Sequence, residues 1–135
     1  MELNALIGEW NVEAPALGDA VGRATFESLQ GGGFIVQRQW VPDTPVPSAV
    51  CAIGPVEGEG RFRQHYFDSR GVIRVYEMTL AGGVWKLWRE DDPNFLQRWE
   101  GQIAPDGQTI RGQWEKAMDG GDWEVDFEVI YTRTK

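Results

Sequence analysis

Asp122-Trp-Glu-Val-Asp-Phe-Glu-Val-Ile-Tyr-Thr-Arg-Thr134 decides the fold class of this chain. Trp123, Val125, Phe127, Val129 and Tyr131 take every second position, and Asp122, Glu124, Asp126 and Glu128 stand between them. Side chains of a strand point alternately to its two faces, so the stretch reads as a strand with one apolar and one acidic face. Such a strand needs neighbours that share its need to bury one face.

Those neighbours are found throughout the chain. Working back from the end, strands are predicted over Thr109–Met118, Asn94–Ala104, Val84–Glu90, Val72–Ala81, Arg61–Asp68, Ala49–Ile53, Phe34–Val41, Val21–Gln30 and Ile7–Ala14. Gly, Pro, Asp and Ser clusters punctuate them, while Glu2–Leu6 is long enough for a single helical turn. No segment of crossover-helix length intervenes, which makes the sheet an antiparallel meander. Ten strands with one shared apolar face are expected to close into an all-β barrel, because closure removes the sheet edges. The whole of 1–135 is read as a single domain.

Turn length fixes which residues stand opposite one another. A two-residue Gly82-Gly83 loop sets Leu80 against Trp85, Met78 against Leu87 and Tyr76 against Arg89. A three-residue Ser69-Arg70-Gly71 loop sets Tyr66 against Arg74 and Gln64 against Tyr76. A three-residue Asp91-Asp92-Pro93 loop sets Arg89 against Phe95, Leu87 against Gln97 and Trp85 against Trp99. A two-residue Asp119-Gly120 loop sets Trp114 against Val125. In every case the apolar faces of adjacent strands fall on the same side.

This layout gathers Arg38, Trp40, Tyr66, Arg74, Tyr76, Arg89 and Phe95 on the inner face toward one end, with Trp10 and Arg133 toward the other. A buried guanidinium is costly unless it is paired. Two readings follow. Asp68 shares the face and is available to pair with Arg74. Alternatively, Arg74 and Arg89 clamp the acidic group of a ligand while Trp40, Tyr66, Tyr76, Trp85 and Trp99 cover its apolar body, with Arg38, Gln64, Phe95 and Gln97 lining the same cavity. The expected function is the binding of a small, partly apolar molecule. An enzyme using Tyr66, Asp68 or Arg74 as acid–base groups is the alternative, and a protein-interaction module with a filled interior is another.

The composition narrows the partners. Thirteen basic residues, ten of them Arg, against 21 acidic residues give a net charge of -8. Nucleic acid and anionic membranes call for a basic face, so neither is expected. No 20-residue apolar span exists, and Met1–Gly8 has neither basic start nor apolar run, so a cytoplasmic protein is expected. Cys51 is the single cysteine and excludes an intrachain disulfide; no cluster has metal-ligand spacing, and no cofactor is expected. Phe67, Ile73, Val75, Trp88 and Leu96 are set on the outer face, where such a patch suggests a homodimer, or cover by the chain's own Pro42–Ser48 loop.

Gly8-Glu9-Trp10 on the first strand and Thr132-Arg133 on the last resemble the closed-end signature of calycin barrels, which include lipocalins, fatty-acid-binding proteins and nitrobindins. The resemblance implies a lipocalin-like barrel with Trp10 packed at the closed end and Arg133 over it. The short Pro15–Ala20 connection and the ten strands are most similar to nitrobindins. Tyr66–Val72, Arg74–Met78 and Trp85–Arg89 also resemble a bacterial family of unknown function. Nitrobindins hold haem through a histidine near the C-terminus. Here the one histidine, His65, is set outward opposite Val75, so that ligation does not carry over.

Overall fold

A computed structural model describes residues 2–57, 60–89 and 91–135. Gly58 and Glu59 of the expected Gly54–Gly60 turn, and Glu90 at the end of an expected strand, lie outside the described residues. Alternating sequences become ten strands: β1 (Gly8–Glu13), β2 (Val21–Ser28), β3 (Ile35–Trp40), β4 (Ala49–Pro55), β5 (Arg61–Asp68), β6 (Ile73–Ala81), β7 (Val84–Arg89), β8 (Phe95–Ile103), β9 (Thr109–Met118) and β10 (Glu124–Arg133). Each pairs antiparallel with the next, and β1 pairs with β10, which closes the barrel.

One end is sealed by a 3-10 turn over Glu2–Ala5, which buries its own Leu3 and the following Leu6. Trp10 stands opposite Arg133, and its indole N–H donates to the Leu6 carbonyl at 2.9 Å. Phe26, Ile53, Met78, Leu80 and Ile110 complete the core above this seal. Each such side chain contributes about 1.5–3 kcal/mol by leaving water.

The tight hairpins have the expected registers: Leu80 faces Trp85 and Met78 faces Leu87, Tyr66 faces Arg74 and Gln64 faces Tyr76. His65 faces Val75 and is exposed. Two registers differ. Across β7 and β8, Arg89 faces Gln97, Leu87 faces Trp99 and Trp85 faces Gly101. The connection curls back through Asp92, whose carbonyl accepts from Phe95 N–H at 2.9 Å, so the loop is longer than three residues. The slip is an even number of residues and leaves every side chain on its expected face.

The second difference has consequences. An irregularity between Val125 and Phe127 puts Phe127, not Val125, opposite Trp114. The extra residue, Asp126, reverses the alternation below it. Val125 is 56 % exposed, and Trp123 lies outside the barrel. A third correction concerns β3. Ile35 and Gln37 are buried and Gln39 is half-buried, whereas Arg38 and Trp40 are exposed. Strand β3 carries apolar residues on both parities, and its inner positions beyond Ile35 are filled by the amides Gln37 and Gln39.

Candidate functional site

Inward positions on β5 to β10 bring aromatic rings into one continuous packing. Trp85 meets Phe26 and Trp99 edge-on, with centroids 6.1 and 5.5 Å away, and is tilted against Tyr131 at 5.8 Å. Trp114 bridges Trp99 and Tyr76 at 5.8 and 5.6 Å, and Tyr66 stands 6.4 Å from Tyr76. Such edge-to-face pairs add about 0.5–1.5 kcal/mol each beyond burial. They also consume most of the interior.

What remains is a cavity of about 50 Å³ bounded by Gln37, Gln64, Cys51, Trp85, Trp99 and Tyr131, among others. Gln37 and Gln64 are each 4 % exposed. The Gln37 amide N–H donates to Gln39 Oε1 at 2.9 Å, but Gln37 Oε1 and Gln64 Oε1 have no donor among the described residues. The indole N–H groups of Trp85 and Trp99 likewise have no acceptor among them. Two acceptors and two donors are thus orphaned on the lining of one small cavity. Buried polar groups are almost always hydrogen-bonded, and leaving one unsatisfied costs about 1–3 kcal/mol.

Toward the open end lies a second recess of about 250 Å³, walled by Val12, Leu17, Val41, Val46, Phe127 and Tyr131. The 3-10 turn Pro15–Leu17 packs against β10 beside it. Tyr131 borders both spaces, so the apolar recess adjoins the amide-lined cavity across one ring.

The arginines expected inside fare differently. Arg74 and Arg89 converge on Phe95, their guanidinium carbons 5.5 and 5.1 Å from its ring centroid. Arg89, 8 % exposed, is engaged within the chain: Nε donates to Gln97 Oε1 at 2.7 Å and Nη1 to Asp91 Oδ1 at 2.8 Å. Gln97 Oε1 also accepts from the Tyr76 hydroxyl at 3.0 Å. Asp68 does not pair with Arg74. It accepts from Arg70 Nη2 at 2.6 Å and from the Tyr66 hydroxyl at 2.8 Å, and Arg70 foremost holds its carboxyl well below the usual range.

Of the expected lining, Gln64, Trp85 and Trp99 border the inner cavity, and Tyr66 and Tyr76 sit in the aromatic packing beside it. Arg74, Arg89, Phe95 and Gln97 form a separate cluster nearer the mouth. Arg38 and Trp40 face solvent. Reading the sequence missed Gln37, Gln39, Cys51, Trp114 and Tyr131; two amides in the same parity as Ile35, flanking Arg38, were the available signal.

Electrostatics keeps this site protonated and neutral. Burial pushes the Cys51 thiol up to about 12 and raises the Tyr131, Tyr66 and Tyr76 hydroxyls, with Asp68 adding to the rise at Tyr66. These groups can donate hydrogen bonds at neutral pH but are poor bases and poor nucleophiles. Among the described residues no three His, Cys, Asp or Glu side chains cluster as metal ligands. No helix among them is long and apolar enough to cross a membrane.

On the outside, Val50, Phe67 and Ile73 stand opposite one another across β4, β5 and β6 and are exposed, Ile73 to 67 %. Val75 adjoins them, while Trp88 and Leu96 are half-buried further round the barrel. The chain matches no family model, and no curated protein matches it.

Proposed function

We propose that this barrel binds a small amphiphilic molecule, with an uncharged hydrogen-bonding head in the amide-lined cavity and an apolar body in the recess beyond Tyr131. The observation that carries the reading is the set of four orphaned polar atoms, Gln37 Oε1, Gln64 Oε1, Trp85 Nε1 and Trp99 Nε1, on one cavity lining. A head that both donates and accepts, such as an amide or alcohol, satisfies both kinds. An ionised carboxylate meets two carbonyl oxygens and no cation there, so the acidic ligand expected from the inner arginines is disfavoured. The inner space is small: a water occupies about 30 Å³ of liquid, so the head has the bulk of one or two waters.

The reading extends to a calycin-type barrel, on the strength of the Trp10–Arg133 closed end, and to a cytoplasmic setting in which a lone thiol stays reduced. Octanamide, octan-1-ol and octanoate titrated against tryptophan fluorescence test it. The amide and alcohol should bind saturably and the carboxylate weakly; equal affinity for all three, or none, overturns it. Native mass spectrometry of freshly purified protein checks for a resident adduct.

A second reading rests on the exposed Val50–Phe67–Ile73 row: a homodimer through this face. Light scattering then gives twice the chain mass, and a monomer at tens of micromolar removes the idea.

A further inference from the structure

The irregularity that turns Trp123 out of the core builds a second feature, on the outer face of β7, β8 and β9. Arg98 stands opposite Trp88 on one side and Glu115 on the other. Its guanidinium carbon lies 3.9 Å from the Trp123 centroid, and its Nε donates to Glu115 Oε1 at 2.8 Å. Trp88, Trp123, Arg98, Glu115, Lys86 and Glu100 together border a cleft of about 520 Å³, far roomier than the inner cavity. Lys86 Nζ and Glu100 Oε1 are 3.6 Å apart, and Gln102 Nε2 donates to Glu100 Oε2 at 3.1 Å.

We infer that this cleft is a binding site for a neutral saccharide. Trp88 and Trp123, the latter stacked on Arg98, border the cleft with indole surface of the kind that packs on the C–H face of a sugar ring. Between them, Arg98 spends Nε on Glu115, and its terminal N–H groups have no partner among the described residues; the planar fork is held in place and still able to donate. Glu115 Oε2 supplies an acceptor fixed through its other oxygen, and the Glu100 carboxylate, held by Lys86 at Oε1 and Gln102 at Oε2, has lone pairs to spare on each. Two cations and two carboxylates around one cleft sum to zero charge. An anion would meet Glu100 and Glu115, and a cation would meet Lys86 and Arg98, so the complementary ligand is polar, hydroxyl-rich and uncharged. This site does not depend on the barrel interior.

The test is a ¹H–¹⁵N titration of the full chain with maltose and cellobiose, and with sodium glucuronate as the charged control. Indole signals are assigned with Trp88→Phe, Trp123→Phe and Trp85→Phe. The expected result is a saturable shift of the Trp88 and Trp123 indole N–H signals with a neutral disaccharide, Trp85 unmoved, and about tenfold weaker binding after Trp123→Ala. No saturable shift with either disaccharide overturns the inference. So does a shift with glucuronate of equal affinity, or a shift that tracks protein concentration alone, which would mark the cleft as a contact between copies.

Discussion

Arg133 lies over the indole of Trp10, its guanidinium carbon 4.1 Å from the ring centroid, at the point where β10 meets β1. The same guanidinium donates to the carbonyls of Ile7 at 2.6 Å, Ala5 at 2.8 Å and Gly107 at 3.0 Å. One side chain therefore ties the amino-terminal turn, the β8–β9 turn and the closing strand together. Arg133→Met keeps the apolar stem but leaves three carbonyls without their charged donor. Charge-assisted hydrogen bonds are worth about 1.5–3 kcal/mol each, partly offset by water reaching the site. A loss of about 2–4 kcal/mol is expected in urea unfolding, with the slope unchanged.

Gln64→Leu removes one orphaned acceptor at nearly constant volume. In the ligand-free chain it is expected to be neutral or to stabilise by about 1 kcal/mol, because an unsatisfied buried carbonyl disappears. Octanamide binding is expected to weaken about tenfold. Binding that is unchanged would detach the amides from the site.

Gly112 faces Gly101 across β8 and β9, where a Cβ would overlap the Glu100 carbonyl oxygen and lie 2.7 Å from both Gly101 Cα and Trp99 Cη2. Backbone on a paired strand cannot retreat as a flexible side chain can. Gly112→Ala is expected to destabilise by about 3 kcal/mol through overpacking, read as a fall in thermal midpoint. A neutral result would mean that the two strands part more easily than their ladder implies.

The alkaline limb follows from Cys51. The folded chain keeps a thiol proton up to about pH 12, whereas the unfolded chain releases it above about pH 8.5. Where the folded state binds more protons, stability falls as pH rises. It is intact below about pH 8.5 and falls from there toward 12, with the raised Tyr66 and Tyr131 hydroxyls prolonging the decline. Cys51→Ala should flatten the first part of the slope, and denaturant midpoints across this window measure it. An equally steep slope in the variant would exclude the thiol as its cause.

The acid limb has the opposite sign. Asp68 is depressed in the folded chain, by Arg70 first and by Tyr66 and the backbone after it. Its contribution is present above the unfolded carboxyl value of about 3.9 and is lost as pH falls below it. Asp68→Asn is expected to lower stability at neutral pH and to leave a shallower acid limb. Parallel acid limbs in the two proteins would place the sensitivity elsewhere.

Local chemistry was legible wherever a short turn dictated the geometry. Gly82 and Gly83 both take positive φ, at 60° and 78°, which a two-residue hairpin demands, and the Leu80–Trp85 register followed from that alone. The Trp10–Arg133 closure was legible through resemblance. Strand β3 was not, because Trp40 advertises burial while Gln37 and Gln39 advertise exposure, and burial here is decided by the register set at the long Leu29–Phe34 connection. The bulge in β10 was equally hidden. Its sequence alternates without a break, and only pairing with β9 reveals that Asp126 is the extra residue. The inner site was half-legible for the same reason: Gln64 comes from β5, whose register was readable, and Gln37 from the strand whose parity was inverted.

Closure has a kinetic side as well. Nine of the ten ladders join strands that are neighbours in sequence and can form as hairpins, but the β1–β10 ladder joins residues as distant along the chain as Trp10 and Arg133. Loop entropy delays such a contact until the intervening hairpins have shortened the effective loop. A refolding chain therefore passes through an open sheet whose two bare edges are β1 and β10. While that sheet stays open, each edge can pair with a second chain as readily as with its own. Refolding yield should consequently fall with protein concentration, although the finished barrel has no free edge to offer.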